Sequence, residues 1–213
     1  MNPILILLLE GLLFILSFGG LSWLRGEAPS SQFAVEGLAV TALCVVVATA
    51  TDFIIDPILF LASIYLVTMR ARLLVDLGNL LLGSGRPSAA ISLYRLATRL
   101  KPDFTGRMII LINHGVAQLR QGKAEEAISS LRAALEAKPE GRLSPKYEAA
   151  CHYNLGLACR RTGKEAEAIR QFNEAIDALP SSIYALQAQA ALEKRQRAAR
   201  EKGGNSRAID KIR

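Results

Sequence analysis

LINHGVAQLRQGKAEEAISSLRAALEAKP, residues 111–139, has two altered copies in the same chain. LLVDLGNLLLGSGRPSAAISLYRLATRLKP (73–102) precedes it and HYNLGLACRRTGKEAEAIRQFNEAIDALP (152–180) follows it. Aligned on their glycines, Gly78, Gly115 and Gly156 coincide, and Gly85, Gly122 and Gly163 fall seven residues later. Ala90, Ala127 and Ala168 come next, then Tyr94, Leu131 and Phe172, then Ala97, Ala134 and Ala175. Pro102, Pro139 and Pro180 close the three units. Small residues at a fixed offset let two helices approach closely, large apolar residues fill the rest of the seam, and Pro ends the second helix.

These positions resemble the tetratricopeptide repeat, a helix–turn–helix unit of 34 residues that stacks into a solenoid. The third unit, with Asn154-Leu155-Gly156 and Ala168-Ile169, lies nearest the family pattern, whereas Leu74, Leu111 and His152 replace its first aromatic position. The resemblance implies repeats at about 71–104, 108–141 and 149–182. One unit cannot bury its face alone, so a cap is needed. Residues 183–200 supply it, apolar on one side and basic on the other, and 201–213, opening near Gly203-Gly204, is expected to fray.

Charge divides the chain. Residues 1–69 hold one basic and five acidic residues, net −4, while 70–213 hold 25 basic and 14 acidic, net +11. This excludes a plain soluble globule and a disordered chain. Pro3 to Trp23 is apolar apart from Glu10, close to the roughly 20 residues that a spanning helix needs. No Lys or Arg precedes it, unlike a secretory signal. After a loop at 26–32, Val35 to Met69 is apolar except for Glu36, Asp52 and Asp56. One straight helix there would be about 52 Å long, so breaks at Thr51-Asp52 and Asp56-Pro57 are expected. The reading is a membrane anchor over 1–69 with spans at about 3–23, 37–51 and 53–69, and a repeat domain over 70–200.

Three spans put Arg25 beside Arg70 and Arg72 and the aspartates opposite, which places the repeats in the cytoplasm. Two spans, with 57–69 lying along the interface or against the soluble domain, would leave Arg25 outside. Three are preferred. Nothing in the sequence separates Met69 from the first repeat helix, so the last span is expected to run unbroken into the solenoid.

The fold class is therefore all-α: transmembrane helices, a three-repeat solenoid and a capping helix. In such solenoids the first helix of each unit lines a groove. By alignment its lining is Arg72, Val75, Asn79 and Leu82, then Ile109, Ile112, Val116 and Arg120, then Tyr153, Leu157, Arg160 and Arg161. An apolar floor with a basic end suits a protein segment with apolar anchors and acidic flanks. The carboxylate clamp found in part of the family lacks its lysines, since Val75 and Ala150 stand there.

Other chemistry finds no support. Gly115…Gly122-Lys123 and Gly156…Gly163-Lys164 have six residues between the glycines where a phosphate loop has four, and no Ser or Thr follows the Lys. His114 and His152 are the only histidines, and Cys151, His152 and Cys159 diverge along one helix. No nucleophile–base pair is apparent, so neither catalysis, a metal nor a cofactor is expected. Cys151 and Cys159 lie about 12 Å apart on that helix, too far for a bridge, which fits a reducing compartment. Glu10 is an intramembrane acid, read as structural, lying shallow, protonated or meeting Thr41 or Thr49, with transport or sensing as the rival. The run 193–213 has eight basic and three acidic residues, a solvated cap or a contact for anionic lipid. No aromatic-interleaved basic face points to nucleic acid. The layout is similar to that of photosystem-assembly members of the repeat family. The function implied is a membrane-anchored adaptor or assembly scaffold, or else an accessory subunit of a membrane complex.

Overall fold

The computed structural model describes residues 2–24, 30–137 and 144–210. Arg25, the loop residues up to Pro29, Pro139 and the last three residues lie outside them. The described residues form nine helices and no strand, in the order α1 (Pro3–Leu24), α2 (Ser31–Thr51), α3 (Pro57–Gly83), α4 (Pro87–Arg99), α5 (Phe104–Arg120), α6 (Ala124–Glu136), α7 (Pro145–Arg161), α8 (Glu165–Ala178) and α9 (Ile183–Asp210). They fall into two compact units, one ending at Ile110 and the other beginning at Leu111, within α5.

In the first unit α1, α2 and α3 pack against one another and α3 packs on α4. Their shared core is Leu7, Phe14, Phe60 and Ile64, flanked by Phe18 and Phe33. Ring centroids of Phe14 and Phe18 lie 4.6 Å apart, and those of Phe18 and Tyr65 lie 6.1 Å apart. Small residues bring α1 and α2 together: a Cβ on Gly11 would sit 2.4 Å from Thr41 Oγ1, and one on Gly37 would sit 2.9 Å from Ile15. Close backbone approach at Gly and Thr is how helices associate where burial from water supplies no driving force. Much of the outer surface is apolar, with Ile58 78% and Trp23 73% exposed. All three helices are long and apolar enough to cross a membrane.

The helix starts differ from the sequence reading. Helix α2 begins at Ser31 rather than near 37, because the Ser30 side chain accepts from Phe33 N–H and caps it. Gln32 then donates to Glu36 one turn on, at 2.9 Å. Helix α3 begins at Pro57, at the expected Asp56-Pro57 break, rather than at 53, where the span was placed. Asp56 is its cap, its Oδ1 accepting from the N–H groups of Ile58 and Leu59 at 2.9 and 3.0 Å. Pro at the first position lacks only a donor that would be orphaned there. From Pro57 the helix runs through Met69 to Gly83 without a break.

The repeat geometry appears in both units. In the first, Gly78 faces Tyr94, and an added Cβ would fall 2.4 Å from Tyr94 Cε1. In the second, Gly115 faces Leu131 and Gly156 faces Phe172, each at 2.7 Å. Gly85, Gly122 and Gly163 make the turn between each helix pair, at φ of 77°, 80° and 76°. That left-handed backbone is where glycine is favoured. Ala90, Ala127 and Ala168 are buried beside the crossings. Helix α9 caps the second unit against α7 and α8. It continues to Asp210, through Gly203 and Gly204, where fraying was expected.

Candidate functional site

The groove residues of the second unit lie on α5 and α7. Val116, Tyr153 and Leu157 are half-buried, and Arg120, Arg160 and Arg161 are exposed. Ile112, 5% exposed, belongs to the core rather than to an open floor. The Tyr153 ring is 6.0 Å from Phe172 and 6.1 Å from Tyr184 of α9, so this end of the face is aromatic. Burial pushes the Tyr153 hydroxyl's pKa up, which keeps it a neutral donor. Arg160 sits over Phe172, its guanidinium carbon 5.9 Å from the ring centroid. Arg161 donates to the Leu119 carbonyl in the last turn of α5, which also accepts from Gly122 N–H at 3.1 Å. The two arginines therefore carry structural duties as well as charge.

Ion pairs join α6 to α8. Lys164 meets Glu125 at 2.9 Å, and Arg132 of α6 pairs with Glu167 of α8. The Arg132 guanidinium, by hydrogen bonding, holds Glu167 below the usual carboxylate range.

The remaining lining residues belong to the first unit. Arg72 is exposed, Val75 is 5% exposed and buried with Leu82, and Ile109 is half-buried. Asn79 accepts from the hydroxyl of the buried Tyr94 at 2.8 Å, satisfying a donor that burial would otherwise strand.

Near them lies a cluster that sequence reasoning missed. Arg70 forks onto Glu36, with Nη2 2.8 Å from Oε1 and Nη1 on Oε2. The same Nη2 donates to the Leu100 carbonyl at 3.2 Å, while Gln32 donates to the Lys101 carbonyl at 2.8 Å. Two carbonyls just past the end of α4 thus receive side chains from α2 and α3. Glu36 and Arg70 are 34 residues apart, so no local pattern could have paired them. The available signal was that Glu36 is a lone charge within an apolar run and Arg70 the first charge after one.

This frame of crossing glycines and left-handed turns is the one that family comparison recognises. Models of the tetratricopeptide repeat match residues 71–104 and 106–181, together just over half of the chain. The chain belongs to the tetratricopeptide-repeat family. No curated protein matches it. Members of this family are generally non-catalytic and bind other proteins.

The other polar groups fit into the tetratricopeptide frame. His152 Nδ1 lies 2.7 Å from Gln171 Oε1, and His114 Nδ1 lies 3.4 Å from Ser130 Oγ. Ser130 in turn donates to Gln118 at 2.8 Å. Cys151 is buried, its thiol 3.1 Å from the Leu131 carbonyl, and burial pushes its pKa up to about 12. Such a thiol is inert at neutral pH. Among the described residues, no three His, Cys, Asp or Glu are grouped so as to hold a metal. Glu10 stands apart. Its Oε2 is buried without a hydrogen-bond partner among the described residues. Thr41 and Thr49, the expected partners, donate instead to carbonyls of their own helix, Gly37 and Val45.

Proposed function

We propose that this protein is a membrane-anchored tetratricopeptide adaptor that holds a segment of a partner protein against α5 and α7 and carries out no catalysis itself. The observation that carries this reading is the unbroken α3, which begins as an apolar helix and ends as the first helix of the first repeat. A partner bound by the repeats is then held near the bilayer. Half-buried Val116, Tyr153 and Leu157 supply apolar anchorage, and Arg120 and Arg160 favour acidic flanks. Arg195 and Arg197 of α9 are paired with Glu165 and Glu193, which weakens the claim of this part of the cap on lipid.

The three-span topology puts the ends of α1 and α3 and the start of α2 on the cytoplasmic side. Pairing of Glu36 with Arg70 supports this, since it sets the start of α2 level with the point where α3 leaves the apolar bundle. Reporter fusions after Ser30 and after Val75 are expected to report cytoplasm, and a fusion at Asp52 the opposite side. Cytoplasmic signal from only one of the first two would remove the three-span arrangement.

The unpartnered Glu10 oxygen favours a second reading, in which the apolar helices transport or sense a cation or proton. The adaptor reading expects Glu10→Gln to leave insertion, abundance and partner capture unchanged, because the amide keeps the shape. A variant that inserts at normal abundance yet fails to complement a deletion would move the function into these helices.

A further inference from the structure

Four basic side chains surround the junction of α3 with the first repeat. Arg72, Arg99, Lys101 and Arg107 are all exposed. None of them makes an ion pair among the described residues. Their level is fixed by contacts already described. The chain leaving α4 touches Arg70 through the Leu100 carbonyl and Gln32 through the Lys101 carbonyl. Lys101, at φ of 50°, then turns the chain toward α5. Arg72 is about 3 Å along α3 from Arg70, and Arg107 stands about one turn into α5. Of the nearby acids, Glu36 is paired with Arg70, whereas Asp103, which accepts from Gly106 N–H at 2.8 Å, and exposed Asp76, one turn past Arg72, each keep their charge. Four basic groups against these two acids leave a net positive charge.

We infer that this end of the first repeat is a docking surface for anionic phospholipid headgroups of the protein's own bilayer. The inference rests on the three-span reading, which puts the Glu36–Arg70 pair where the apolar bundle ends. A bilayer adds about 5–7 Å of headgroup beyond its hydrocarbon on each side. Arg72, two residues from Arg70, and Arg99 and Lys101, flanking the Leu100 carbonyl that Arg70 holds, have side chains long enough to reach into this layer while their backbones stay clear of the hydrocarbon. Complementary charge selects the occupant: phosphate-bearing anionic headgroups attract each Lys or Arg near the surface, whereas zwitterionic ones do so weakly. Such contacts would hold the repeat upright on its span, adding a second tie beyond the one that α3 makes.

The test uses the full chain in nanodiscs of phosphatidylcholine, with or without phosphatidylglycerol, read by hydrogen exchange. Amides over residues 99–107 are expected to exchange about tenfold more slowly or better with phosphatidylglycerol, an effect lost at high salt. Arg99→Gln with Lys101→Asn is expected to abolish most of that difference, Asn being chosen because it tolerates the left-handed backbone. Equal exchange in the two lipids, or a lipid effect undiminished in the double variant, overturns the proposal while leaving the spans in place. Release of the chain from the discs by alkaline carbonate would instead overturn the three-span reading, and this proposal with it.

Discussion

Replacing Gly156 by Leu is expected to destabilise the protein by about 1–3 kcal/mol, the usual cost of forcing extra carbons into a packed core. A Cβ there would lie 2.7 Å from Phe172 Cδ1 and Cε1 and 3.2 Å from the Ala168 carbonyl oxygen. The ring cannot simply swing away. It is 3% exposed, with Tyr153 on one side and Arg160 over its face. Backbone closes the remaining direction, so α7 and α8 would have to separate. Gly83→Leu is the control, because nothing lies within 4 Å of the Cβ it would add. Thermal unfolding of both variants as full chains in the same detergent should lower Tm for the first only. Equal values would mean that Gly156 is not a crossing point.

That prediction rests on a pattern the sequence shows openly. Gly78 and Tyr94, Gly115 and Leu131, and Gly156 and Phe172 are each sixteen residues apart, so each clash is built within one hairpin. Local pairing repeated three times is legible because every copy votes for the same register. The apolar helices were legible by composition, since a run of that length has few soluble uses. The Asp56-Pro57 break that starts α3 was legible too, but the start of α2 was not. Ser30, Gln32 and Glu36 read as loop or as the first turn of a helix, and what decides is a single cap bond from Phe33 N–H together with the reach of Arg70. Pairing between residues 34 apart depends on how α2 and α3 pack. No periodicity in either helix encodes it. That Glu10 Oε2 lacks a partner among the described residues was hidden for a similar reason: which hydroxyls remain available depends on the bonds that Thr41 and Thr49 make within their own turns.

Capture of the partner is expected to respond differently to two substitutions on α7. Leu157→Asp puts a charge on a half-buried apolar position that a bound segment would cover. Burying a leucine fully is worth about 1.5–3 kcal/mol, so affinity should fall by about ten- to a hundredfold at every ionic strength. Arg160→Glu should weaken capture chiefly at low salt and flatten its salt dependence, since the attraction that ions screen has been reversed. Its cost to the fold is the loss of the contact over Phe172, about 0.5–1 kcal/mol for an exposed cation on a ring. Arg161 is left alone because its guanidinium serves the Leu119 carbonyl, and removing it would confuse binding with the end of α5. Ile112 is left alone because it is buried, and a charge there would test the core. Both variants keep α1 to α3 intact and should remain in the membrane fraction at normal abundance. If both insert and fold yet hold the partner as tightly as the parent at low and high salt, the face formed by α5 and α7 does not bind it. The repeats would then hold the partner through a surface other than that of α5 and α7.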